Sequence, residues 1–151
     1  MSTFVHPDPG FELDWLAVDQ RGRVGLFSTG GQGAVPVAVA NNLAMVEAAI
    51  LRLASLPILG DCAESPGAGG DFSFWIEPAR RGIFGFDWGP VSIGPYARVT
   101  VPSRPVLISD LDDVAVREAA TLVQLPLDFE MSPHIEAVDL GVDLYRGQRW
   151  R

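Results

Sequence analysis

Two short runs of mainly apolar residues open the regular part of the chain, Asp14–Asp19 and Val24–Thr29. Both are of strand length and rich in residues that favour strands. The segment between them, Gln20–Arg23, contains a glycine and is short enough for a tight turn. The pattern therefore predicts a β-hairpin.

A helical period replaces the strand pattern over Val37–Ser55. Apolar residues recur there three and four positions apart, at Val39, Leu43, Val46, Ile50 and Leu53. Pro36 suits a helix start because its missing N–H has no helical partner there, and Pro57 ends the run. We expect one long apolar helix, packed against a sheet because few of its positions are polar.

The middle of the chain predicts more strands. Gly60–Asp71 is rich in glycine, serine and proline and indicates an exposed loop. The aromatic runs Phe72–Ile76 and Ile83–Trp88 after it favour a second hairpin. Tyr96–Val101 alternates as a strand does, and Pro105–Ile108 follows as an edge strand or a bend.

The last elements are a second helix and a less regular tail. Ser109 or Asp110 could cap a shorter, acidic helix that runs through about Thr121. Beyond Leu125 the pattern supports only one more strand or turn. The predicted fold class is α+β: a mainly antiparallel sheet of about five to seven strands, one long apolar helix and the shorter acidic one. We expect a single globular domain over residues 1–151.

Composition removes several classes of chemistry. All 11 basic residues are arginine, so neither a Walker lysine nor a Schiff-base lysine is present. Cys62 is the only cysteine, which rules out an intrachain disulfide and suits a reducing compartment. The N-terminus has no secretory signal pattern, and no apolar run is long enough to span a membrane. We expect a soluble cytoplasmic protein that does not bind membranes.

The sequence lacks the residues that define the catalytic and cofactor-binding motifs considered below. Gly30–Gly33 lies between a strand and a helix, but it lacks the lysine of a phosphate loop and the third glycine of a dinucleotide fold. No Gly-x-Ser-x-Gly elbow occurs. Of the only two histidines, His6 lies in a predicted terminal arm and His134 in a predicted loop. We therefore expect no cofactor and no metal, and we favour a protein that is not an enzyme.

An aromatic pocket is the alternative. The aromatic residues of the predicted second hairpin could line a groove for a small ligand instead of filling a core. A carboxylate in that groove could act as an acid or a base if burial raised its pKa. The candidate residues for this pocket are Trp75, Phe86, Asp87 and Trp88.

Charge is the least random feature of the sequence. Residues 106–143 carry nine acidic side chains and one basic one, a net charge of −8 that equals the net charge of the whole chain. Such a field repels nucleic acids and attracts cationic partners, although acidic residues can also simply make a surface soluble. The candidate partner-binding residues are Asp110, Asp112, Asp113, Asp128, Glu130, Glu136, Asp139 and Asp143.

Three features together resemble small acidic proteins of uncharacterised bacterial families: the Asp14–Asp19 hairpin, the glycine-rich exit to a helix, and Phe86–Gly89. Some such proteins are immunity partners of secreted toxins. The resemblance implies a non-enzymatic protein whose acidic surface binds a basic protein, such as a toxin. A small-ligand-binding domain or minor enzyme is the alternative, and the sequence leaves the oligomeric state open.

Overall fold

The computed structural model describes residues 13–65, 73–89 and 94–145. The strands in these ranges are β1 (Asp14–Val18), β2 (Val24–Ser28), β3 (Cys62–Glu64), β4 (Phe84–Trp88), β5 (Tyr96–Pro102) and β6 (His134–Ile135). The α-helices are α1 (Val37–Ala40), α2 (Leu43–Arg52), α3 (Ser73–Arg80) and α4 (Val114–Thr121). Short 3₁₀ turns occupy Leu53–Ser55, Ile108–Asp110, Phe129–Met131 and Ala137–Leu140. Within the same ranges, no helix combines the length and the apolar character of a membrane span.

The six strands form one open mixed sheet in the order β1–β2–β4–β5–β3, with β6 pairing with β5. Neighbouring strands are antiparallel except for β2 and β4, which run parallel. A parallel pair needs a long crossover, and here the connection contains α1, α2 and α3. The predicted α+β class is confirmed, and one strand pair departs from the predicted antiparallel pattern.

The predicted first hairpin is confirmed. Strands β1 and β2 pair from Asp14 with Ser28 to Val18 with Val24. The turn contains Gly22, whose φ of 80° lies in the left-handed region that glycine adopts readily. The Asp19 carboxylate accepts hydrogen bonds from two backbone N–H groups within this turn.

The single long helix predicted over residues 37–55 is wrong, because the chain breaks after one turn. Asn41 ends α1 and Asn42 precedes α2, and the Asn42 amide nitrogen donates to the Ala38 carbonyl at 2.8 Å. Asparagine side chains compete in this way for backbone groups that a continuous helix would use. Helix α2 then continues into the 3₁₀ turn Leu53–Ser55, and the two together form the longest helical segment among the described residues.

The second hairpin is also wrong, because its first strand is helical. Residues 73–80 form α3, which buries Trp75, Pro78 and Ala79 at helical spacing, whereas Phe72 lies outside the described residues. Trp75 packs over Gly85 of β4, where an added Cβ would lie 2.6 Å from the indole ring. The aromatic run resembled a strand because Phe72 and Phe74 alternate with other residues.

Smaller corrections concern the elements on either side. The predicted loop 60–71 contains the short edge strand β3, paired with β5. The predicted strand Pro105–Ile108 is reduced to a single bridge between Leu107 and Arg23. Helix α4 begins later than predicted, at Val114, because the Asp113 side chain caps it by accepting from the Val116 N–H.

Each face of the sheet carries its own core. One face is aromatic and is covered by α1 and the 123–145 segment; its buried members include Trp15, Phe27, Phe84, Phe86, Tyr96, Phe129, Ile135 and Leu140. The other face is mainly aliphatic and is covered by α3 and α4; its members include Leu16, Leu26, Trp75, Ile83, Val99, Leu111, Val116 and Ala120. Helix α2 contributes to both, through Val46 on the first and Ala49 on the second.

Candidate functional site

The acidic segment does not form one continuous surface, because the sheet divides it. Leu111 and Val116, beside Asp110–Asp113, belong to the aliphatic core under α4. Phe129 and Leu140 anchor the stretch that carries the other acidic candidates, and they belong to the aromatic core on the opposite face. The eight predicted partner-binding residues are therefore distributed over two sides of the molecule.

Two of the eight, Asp128 and Glu130, belong to an ion cluster around the buried Arg23. The Arg23 guanidinium contacts Asp128, and its Nη1 lies 2.7 Å from a Glu130 carboxylate oxygen. Arg21 also reaches Asp128, at 3.5 Å. Burial alone would raise the Asp128 pKa, but the Glu130 N–H, the Arg23 charge and the Arg21 hydrogen bond outweigh it and lower the pKa. This cluster fastens the 128–131 turn to the first hairpin.

Asp113 is also engaged within the fold. Its Oδ1 accepts the Val116 N–H at 3.1 Å, and its Oδ2 lies 2.7 Å from both Nε and Nη2 of Arg52. Burial opposes ionisation of Asp113, but these hydrogen bonds and the Arg52 charge lower its pKa overall. Asp113 therefore joins the end of α2 to the start of α4.

The remaining five acidic candidates are exposed. None of them forms an ion pair with any residue in the part of the chain that the structure describes. Asp110 and Asp112 lie beside α4, whereas Glu136, Asp139 and Asp143 lie on the opposite side of the sheet. These carboxylates are available to a partner.

A cleft of about 560 Å³ adjoins Asp110 and Asp112. It opens between the end of α2, the end of α3 and the link that precedes α4, and its volume is within the range of ligand-binding sites. Its lining residues are Arg52, Ser55, Leu56, Pro57, Leu59, Arg81, Pro105, Val106, Asp110, Leu111, Asp112 and Asp113. We call this feature the interhelical cleft.

The two arginines of the interhelical cleft already have partners. Arg81 donates to the Leu56 carbonyl at 2.9 Å, to the Ala54 carbonyl at 3.1 Å and to the Glu77 carboxylate at 2.7 Å. Arg52 pairs with Asp113. Asp110 and Asp112 are thus the charged lining residues without an ion-pair partner among the described residues, so the cleft favours a cation.

The four residues of the alternative aromatic pocket do not come together in one cavity. Trp75 lies on the aliphatic face, whereas Phe86 lies on the aromatic face, stacked on Phe27 at 4.8 Å between ring centroids. Trp88 packs edge-to-face on Tyr96 at 4.8 Å. Asp87, the neighbouring residue of β4, is partly buried. Trp75 and Phe86 are parts of packed cores.

Two groups with nucleophilic potential are held in their neutral forms. Burial and the adjacent Asp61 raise the pKa of the Cys62 thiol. Complete burial raises the pKa of Tyr96, whose hydroxyl donates to the Ala34 carbonyl at 2.6 Å and accepts from the Trp15 indole at 3.2 Å. Neither environment activates a nucleophile.

Sequence reasoning missed the apolar wall of the cleft and its two arginines. The wall comes from Leu56, Pro57 and Leu59, directly after a helix end, where a run of apolar residues is unusual for an exposed connection. Arg52 and Arg81 gave no signal, because arginine near the end of a helix is common whatever it contacts. The apolar run from Leu56 to Leu59 after the helix end was the sequence signal that could have predicted the cleft.

No protein-family model, curated protein or solved structure matches this chain at a significant level.

Proposed function

We propose that this protein is a non-enzymatic binding domain that uses exposed carboxylates of residues 110–143 to engage a basic protein partner. The observation that carries the proposal is that Asp110, Asp112, Glu136, Asp139 and Asp143 are exposed and form no ion pair with the described residues. Carboxylates without internal counter-charges create a negative field that attracts a cationic surface. An immunity protein that covers the cationic site of a toxin would act in this way.

The proposal uses five of the eight partner-binding residues that the sequence predicted. Asp113, Asp128 and Glu130 are paired with arginines of the same chain, so a partner would have to compete with those contacts. Arg52 and Glu130 are exposed, so solvent partly screens these pairs, but Asp113 and Asp128 are largely buried and would lose contacts made within the fold. We assign these three residues to the fold, and the other five, which lie on both sides of the sheet, to the negative field that attracts the partner.

The test begins with the partner, recovered by affinity purification from the native cell extract at low salt and then purified separately. The informative variant is the triple substitution D110N/D112N/D139N. A matched control, E47Q/D61N/E64Q, removes three exposed carboxylates elsewhere and so gives the same net charge. Stopped-flow association rates are measured for both variants across a salt series.

We expect the first variant to slow association with a basic partner about tenfold or more at low salt and to weaken its salt dependence. The control should behave as the unaltered protein. Equal slowing by both variants would show that only net charge matters and would contradict an interface at residues 110–143. Unchanged rates for the first variant, or recovery of no basic partner, would also contradict the proposal.

A small-ligand-binding domain is the second candidate function, and the interhelical cleft is the observation that favours it. The cleft lies apart from the predicted aromatic pocket, since neither Trp75 nor Phe86 lines it. Its unpaired carboxylates would select a cationic ligand. Saturable binding of free agmatine at micromolar concentration would favour this function over a protein partner.

A further inference from the structure

The interhelical cleft combines a charge preference with an apolar wall. Its lining residues Leu56, Val106 and Leu111 are buried, whereas its lining residues Asp110 and Asp112 are exposed. A ligand with an aliphatic stem and a cationic head would match both surfaces, because the stem can cover apolar atoms while the head remains among the carboxylates. Arginine and lysine side chains have this form.

Exposed apolar surface forms part of the cleft, because the lining residue Leu59 is an exposed large hydrophobic side chain. Nine large hydrophobic residues in the described ranges are exposed, and four of them line the cleft or directly follow a lining residue. These four are Ile58, Leu59, Leu107 and Val114. Clustered exposed apolar groups mark protein interaction sites, whereas scattered ones do not. Leu59 therefore suits a partner surface that brings an apolar residue next to its basic one.

The walls of the cleft are held in place before any partner arrives. Arg81 fixes the carbonyl groups of Ala54 and Leu56, and Arg117 fixes that of Leu111 at 2.8 Å. The Arg52–Asp113 pair joins α2 to the start of α4. Arg117 is the other cation near this wall, but it is not part of the lining. A preformed site loses less conformational entropy on binding.

We infer that the interhelical cleft is the specificity pocket of the interface and binds one arginine or lysine side chain of the basic partner. The aliphatic stem lies against Leu56 and Leu111, and the cationic head lies at Asp110 and Asp112. An apolar residue next to the basic one on the partner covers Leu59. The inference rests on the proposed function, since it names what the exposed carboxylates at the cleft recognise.

The test uses the full chain and short capped peptides as probes. The peptide acetyl-Gly-Leu-Arg-Gly-amide supplies the apolar and basic pair, and its citrulline counterpart keeps the shape of arginine without the charge. Free agmatine supplies the guanidinium without a peptide. Binding is followed by NMR titration, with the backbone amides of residues 56–59 and 110–113 as reporters.

Two protein variants separate the cleft from the general acidic field. Ser55→Trp fills the cleft from an exposed lining position and leaves every carboxylate in place. D110N/D112N removes the charge and leaves the cavity open. E47Q/E64Q is the matched control, because it removes two exposed carboxylates that lie outside residues 110–143 and do not line the cleft. Circular dichroism and urea midpoints establish that each variant is folded.

We expect saturable shifts at the cleft amides with the arginine peptide, and affinity at least about tenfold weaker with citrulline, with D110N/D112N and with Ser55→Trp. The control variant should bind as the unaltered protein does. Equal binding of the citrulline peptide, absence of saturable shifts, or agmatine binding as tightly as the arginine peptide would each overturn the inference.

The same variants distinguish failure of this inference from failure of the proposed function. If Ser55→Trp leaves association with the basic partner unchanged while D110N/D112N/D139N slows it, the cleft is not the specificity pocket and the acidic interface stands. If neither variant affects the partner, both proposals fail.

Discussion

The Asp19 carboxylate accepts the backbone N–H of Phe129 at 2.9 Å, although 110 residues separate them in the sequence. The other oxygen of the same carboxylate accepts two N–H groups of its own hairpin turn, from Arg21 and Arg23. The Arg23 guanidinium, 3.4 Å away, supplies the counter-charge. One side chain thus organises the first hairpin and attaches the acidic segment to it.

Replacement of Asp19 by alanine should destabilise the protein strongly. The Asp19 side chain has no exposed surface, so its loss leaves three N–H donors and the Arg23 charge without this partner. We expect the free energy of unfolding to fall by about 3–5 kcal/mol in urea denaturation. Asp112→Ala, at an exposed position, should change it by no more than about 0.5 kcal/mol. Similar losses in the two variants would contradict the role given to Asp19.

Two buried threonines should respond in opposite ways to valine. The Thr29 hydroxyl accepts the N–H groups of Leu13 and Gly31, whereas Thr100 Oγ1 is buried without a hydrogen-bond partner among the described residues. Valine preserves the shape of threonine and removes the hydroxyl. We expect Thr29→Val to lower the free energy of unfolding by about 1–3 kcal/mol and Thr100→Val to leave it unchanged or raise it.

Urea denaturation of both variants checks this prediction, and each serves as the other's control because both sites are almost fully buried. A loss of more than about 1 kcal/mol in Thr100→Val would show that this hydroxyl has a partner after all.

The sequence predicted an element correctly where the hydrophobic pattern and the local residue chemistry indicated the same structure. The first hairpin satisfies both the strand pattern and the turn chemistry, and β4 lies within the predicted run Ile83–Trp88. The long helix failed because hydrophobic periodicity continues across Asn41 and Asn42, while the break depends on a local contact from Asn42 to the Ala38 carbonyl. Periodicity indicates which face is buried, and it does not reveal a two-residue interruption.

The residues of the candidate site were less predictable, because a count of charges along the sequence does not show which carboxylates form ion pairs in the folded structure. Asp112 and Asp113 are adjacent in the sequence, yet one is exposed and the other pairs with Arg52, 61 residues earlier in the chain. Trp75 and Phe86 fell into one predicted pocket because both were assigned to one hairpin, whereas α3 places Trp75 across the sheet from Phe86. Net charge indicated the class of partner but not the residues.

Gly85→Ala should destabilise the sheet, although alanine is normally better than glycine within a strand. The added methyl group would lie 2.6 Å from both the Trp75 ring and Thr100 Oγ1, at the bulge where β4 meets β5. We expect the free energy of unfolding to fall by about 1–3 kcal/mol, measured by urea denaturation. In a Trp75→Leu background the same substitution should cost less, since the smaller side chain leaves room. Equal costs in the two backgrounds would show that Trp75 does not restrict this position.

Acid should weaken the junction between α2 and α4 through Asp113. The folded structure lowers the Asp113 pKa, so the unfolded chain binds the proton more readily than the folded one does. The stabilisation is therefore fully present above the ordinary aspartate pKa of about 4 and is lost as the pH falls through the lower folded pKa. Asp113→Asn keeps a helix-capping side chain and removes the titrating charge.

Urea denaturation at pH 7, 5, 4 and 3 distinguishes the two proteins. The variant should be less stable than the unaltered protein at pH 7, lose less stability on acidification, and approach it at the lowest pH. Asp112→Asn is the control, because it removes the same charge from an exposed neighbour with no ion pair among the described residues. A constant stability gap between Asp113→Asn and the unaltered protein at every pH would show that Asp113 stabilises the fold through its cap alone and not through its charge.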